Sequence, residues 1–152
     1  MGRPVQAAAL MEDRFRAAAY AYLGYGVVYW IGGVYLALHG VGVRGGPRMQ
    51  AGLGWVVIGL ILVALIPYLL SHPRAWFERW LVSRRDFARL LVLLMAVRAY
   101  HVGRVAVRPE TATVAAPWGG EITFRMGAAV FFVVTVLALV VIARAAWGGK
   151  TG

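Results

Sequence analysis

The chain has 152 residues, of which 61% are hydrophobic and 14% charged, with a formal charge of +10. A soluble domain carries roughly 25% charged residues, and a small one has too much surface per volume to hide this much apolar side chain. Lipid removes that conflict, so the reading is an all-α membrane protein forming a single integral membrane domain over 1–152. Cys is absent, which excludes disulfides, thiolate metal sites and Cys nucleophiles.

In chain order, Arg3, Gln6, Glu12, Asp13, Arg14 and Arg16 precede any long apolar run. That is not the pattern of a cleaved signal. The first span is read at about 17–40, uncharged from Ala17 to Val43, and a Gly-rich link from Gly40 to Pro47 leads to a second span at about 51–72. Each is long enough to cross at 1.5 Å per residue.

An amphipathic stretch follows at about 73–83. Trp76, Phe77, Trp80 and Leu81 recur at helical spacing while Arg74, Glu78 and Arg79 fall elsewhere, as in a helix lying on the interface. The segment 87–103 is ambiguous, because its apolar core, Leu90 to Val97, sits between Arg89 and Arg98. A central Arg costs about 2.5–3.5 kcal/mol, and each Leu, Val or Phe returns about 0.3–0.6. The sum is near zero, so the segment spans, lies at the interface, or dips in and returns. The stretch 104–125 is rich in β-formers (Val105, Val107, Thr111, Thr113, Val114, Ile122 and Phe124). They are interrupted by Arg108-Pro109-Glu110 and Pro117-Trp118-Gly119-Gly120, which reads as a small β-hairpin-like loop. A last span is read at about 126–147, with Arg144 snorkelling.

Three of these helices are expected to span outright. Lys and Arg sort to one side with either three or four spans, and both versions place the N-terminus in the cytoplasm. Four spans bring the C-terminus to that side as well. The expected location is the cell membrane, multi-pass. Asn is absent and Gln rare; loss of labile residues is a thermophile trait, although a GC-rich genome gives the same bias.

Several residues break the membrane pattern. Arg98 at membrane depth calls for a subunit, a cofactor carboxylate, a lipid phosphate, or simply water at the interface. Gly33 and Ala37 form a small-xxx-small pair that lets helix backbones approach, for a partner subunit or for internal packing. Arg84, Arg85 and Arg89 form a basic cluster suited to anionic headgroups and to fixing topology. His39 and His101 are weak candidates for haem b, and the tyrosines of the first helix for a quinone groove. As interfacial side chains these residues need no ligand. No metal site or catalytic set is predicted, and the spans lack the carboxylates that proton and cation carriers use.

The expected function is therefore a non-catalytic accessory or structural subunit of a larger membrane complex, respiratory complexes being one such setting. Its partners would be the lipid bilayer and other membrane subunits, with no nucleic acid. The alternatives are a haem- or quinone-binding anchor, then a small channel or transporter.

Overall fold

The structure, a computed structural model, describes residues 2–38, 53–71, 79, 83–107 and 113–148. Its elements are α1 (Arg3–Leu38), α2 (Leu53–Ser71), α3 (Arg84–Val107), β1 (Thr113–Ala115), β2 (Glu121–Thr123) and α4 (Phe124–Trp147). The Gly40–Pro47 link lies outside the described residues, as does most of the 73–83 stretch.

α1 begins well before the expected position 17. Ala7, Ala8, Ala9, Leu10, Met11 and Glu12 are strong helix formers, so nothing stops the helix from running back to Arg3. α3 also outruns its expected 87–103 limits at both ends. Ser83 caps it: the Asp86 backbone N–H donates to Ser83 Oγ (3.1 Å), and Ser83 Oγ donates to Asp86 Oδ2 (2.6 Å). That N-cap starts the helix at Arg84. At the other end, Val105 and Val107 belong to the last turn of α3 and not to a strand. Their β preference is weak against continuing an established helical ladder.

The strands are short. Thr113 pairs with Thr123, Val114 with Ile122 and Ala115 with Glu121 in an antiparallel ladder. Between them the Gly119 N–H donates to the Ala116 carbonyl (3.1 Å). Gly119 and Gly120 follow with φ of 94° and 85°, a backbone that glycine alone adopts freely. Thr123 then caps α4, accepting from the Met126 N–H at 3.2 Å.

Consecutive helices run antiparallel. Gly26 faces Val63 and Gly59 faces Trp30, which fixes α1 against α2. Gly103 faces Phe132, and Arg125 Nε donates to the Ala106 carbonyl (2.9 Å), which fixes α3 against α4. Arg14 reaches Gly148, so α4 ends beside the start of α1. α1 packs on α2 and α4, and α4 on α3. The core runs along this seam through Phe15, Ala18, Tyr25, Leu91, Met95, Ala138 and Ile142.

Two helical stretches, Arg84–Val107 and Arg125–Trp147, are long and apolar enough to cross a membrane. Only 22% and 17% of their apolar windows are buried in the chain, unlike the core helices of a soluble protein. Val57–Ser71 is apolar but shorter within the described residues. α3, the segment that sequence arithmetic leaves ambiguous, is thus one of the two. At 24 residues it is about 36 Å long, against roughly 30 Å of hydrocarbon.

Candidate functional site

Three places in the bundle gather polar side chains. The first is central. Arg98 is half-buried, with its guanidinium carbon 4.8 Å from the centre of the Tyr29 ring and Tyr25 as a further neighbour. Tyr25 stacks between Tyr29 (6.2 Å) and Phe131 (5.5 Å), and Tyr22 sits 5.5 Å from Tyr25. A cation over an aromatic face gains about 0.5–2 kcal/mol, more where water is scarce. The Arg98 charge therefore has aromatic neighbours within the chain, supplied by α1.

The second place is at the end of the bundle where α1 begins, here called the N-terminal end. Arg84 is 6% exposed and meets both carboxylate oxygens of Glu12, at 3.2 and 2.9 Å. Its guanidinium also lies 4.1 Å from the Phe15 ring centre. This two-pronged geometry suits guanidinium and carboxylate alike. The hydrogen bond from Arg84 is the main reason that the Glu12 carboxyl titrates below its ordinary value of 4.5, with Arg84 and Arg16 charge adding to it against partial burial. Arg85 reaches Met11 Sδ (3.6 Å), and Arg89 pairs with Asp86 (3.0 Å) one helical turn back. Of the predicted basic cluster, two members thus hold carboxylates. The cluster's carboxylate partner from α1, Glu12, is not evident from sequence, because seventy-odd residues separate it from Arg84.

The third place is close by. Arg14, Ala17, Val141, Arg144 and Gly148 line a pocket of about 640 Å³ between α1 and α4. Neither arginine has a carboxylate partner among the described residues.

The remaining predicted residues are dispersed. Among the described residues, a side chain added at Gly33 would meet nothing within 4 Å. Close helix contacts among them fall at Gly26, Gly59 and Gly103, where an added carbon would come within 3.0–3.1 Å of a side chain. These glycines carry no motif spacing, so only the register of the helices reveals them. The side chain of Ala37 and all of His39 lie outside the described residues. His101 is exposed; its Nδ1 is 2.8 Å from the Val97 carbonyl, one turn back, and its ring meets Tyr100 edge-on. No group of three or more metal-ligating side chains occurs among the described residues. Comparisons with family models, with curated proteins and with solved structures return no match.

Proposed function

We propose that the chain is a multi-pass integral membrane protein that serves as a non-catalytic structural subunit of a larger membrane complex. The antiparallel helices favour four crossings, with both termini on the cytoplasmic side where arginine is most abundant. The lateral surface suits lipid: Ile58, Leu60, Ile61, Leu93, Leu94, Val133 and Leu137 are all exposed.

The observation that carries the subunit reading is how the glycine notches are used. Those at Gly26, Gly59 and Gly103 are filled from within the chain, by Val63, Trp30 and Phe132. Among the described residues, those at Gly24 of α1 and Gly127 of α4 are open. On α1 the Gly24 notch lies among exposed Leu23, Val27, Val28 and Ile31. Small residues let transmembrane backbones approach closely, and packing rather than hydrophobicity drives association in lipid. A neighbouring helix seated on this face of α1 would fill the notch at Gly24.

The test is copurification after mild detergent extraction, comparing the wild type with Gly24→Leu. The wild type brings down membrane partners, and the variant loses them while keeping its own thermal stability. A chain that extracts as a stable lone monomer overturns the reading. A C-terminal reporter active only outside the cytoplasm overturns four crossings.

A further inference from the structure

We infer that the pocket between α1 and α4 at the N-terminal end binds the phosphodiester headgroup of an anionic lipid, held by Arg14 and Arg144. The inference rests on the membrane reading above and assigns a ligand to a specific place on the bundle.

Several arginines of the bundle are already engaged. Arg84 meets Glu12, Arg89 meets Asp86 and Arg98 meets Tyr29. Arg14 and Arg144 come from different helices, are exposed, and converge on one pocket with no carboxylate between them among the described residues. The C-terminal end of α4 favours one cation there, and Arg14 lies against Gly148, the residue that caps it. A second guanidinium in the same pocket adds like-charge repulsion that an anion relieves. Two guanidinium forks match the oxygens of a phosphate.

The rest of the lining says that the phosphate belongs to an amphiphile. Ala17 lies one turn beyond Arg14 along α1, and Val141 lies one turn before Arg144 along the antiparallel α4. Both are therefore deeper in the bundle than the arginines. The pocket is cationic at its mouth and apolar behind it, the polarity of a headgroup joined to an acyl chain. Its volume of about 640 Å³ exceeds what a bare phosphate fills and lies within the range of small-molecule sites.

The test is native mass spectrometry of the detergent-purified protein mixed with phosphatidylglycerol and phosphatidylcholine. Wild type is expected to retain phosphatidylglycerol preferentially. Near a membrane surface each arginine is worth about fivefold in affinity, so Arg14→Gln with Arg144→Gln lowers the preference by roughly thirtyfold. Ala17→Trp keeps both charges but fills the pocket, and is expected to abolish the preference too. Arg3→Gln with Arg16→Gln removes the same charge outside the pocket and leaves it intact. An equal loss in that control, or no preference in the wild type, overturns the site. Displacement of the lipid by an equal concentration of inorganic phosphate assigns the pocket to free phosphate and overturns the lipid. Fractionation separates the two levels: a protein that stays with membranes yet shows no lipid preference sinks the site alone. One recovered in the soluble fraction sinks the membrane reading beneath it.

Discussion

The two ends of the bundle are held by different chemistry. At the N-terminal end, side chains meet side chains: Arg84 with Glu12 and Phe15, and Arg89 with Asp86. At the opposite end, side chains meet backbone. The Tyr35 hydroxyl donates to the Ala115 carbonyl and Arg125 to the Ala106 carbonyl, so α1 and α4 hold the β-ladder and the last turn of α3. An ion pair ties stability to protonation and leaves a charge behind when half of it is removed. A bond to a carbonyl fixes the path of the chain and is indifferent to mild acid. The difference teaches that one end is tunable by charge while the other is set by shape.

The largest expected effect breaks the charged end. Glu12→Ala removes the carboxylate from an arginine whose side chain is only 7% exposed, while Glu12 itself is 44% exposed. Breaking a fully buried pair costs about 3–5 kcal/mol; screening at the exposed partner reduces this to about 2. Arg84→Met leaves only a half-exposed carboxylate and is expected to cost less than Glu12→Ala. Thermal unfolding in detergent micelles measures both, and the opposite order would refute the asymmetry. Towards the other end, Gly103→Leu drives a side chain into the Phe132 ring, 3.1 Å from the position of its first carbon. Overpacking of this kind costs about 1–3 kcal/mol, and the same unfolding assay reads it. Phe132→Ala in the same chain should recover part of the loss.

A smaller effect sharpens the shape-held end. Tyr35→Phe removes one hydrogen bond to the Ala115 carbonyl, worth about 1 kcal/mol. Amide hydrogen exchange should quicken across Thr113–Thr123 and stay unchanged at Phe15–Ala19. Equal quickening at both places would mean that the ends are not separate.

The sequence makes the helical class plain, because long apolar runs with so few charges leave little else. It does not decide whether α3 crosses, since Arg98 alone nearly cancels the insertion energy of Leu90 to Val97. Nor does it place Tyr29 over the guanidinium, a contact that folding brings from a distant part of the chain. The same limit hides Glu12: an acidic residue before a first span reads as ordinary solvation until Arg84 is placed against it. Local chemistry outweighs residue type at the helix limits, at the Ser83 cap and at Val105 and Val107. Of the candidate residues, Arg98 stands out in the sequence because it interrupts an apolar run. Arg14 and Arg144 do not, because each looks like a boundary charge until α1 and α4 are set antiparallel.

The smallest expected effect separates the two ends by pH alone. Glu12 titrates below its ordinary 4.5 in the fold, chiefly because Arg84 donates to it. A carboxyl whose folded value is depressed adds stability that is fully present above its unfolded value and is lost as pH falls through the folded one. The N-terminal end should therefore loosen as pH drops below about 4.5, whereas the Tyr35 and Arg125 bonds to carbonyls involve no carboxylate. Unfolding temperature measured from neutral pH downward should fall through this window in the wild type. In Glu12→Gln the curve should start lower and flatten, because the uncharged amide cannot lose the interaction on acidification. In Tyr35→Phe it should start lower and keep the wild-type slope. A Glu12→Gln curve that runs parallel to the wild type would place the acid-sensitive contact elsewhere and undo the contrast between the ends.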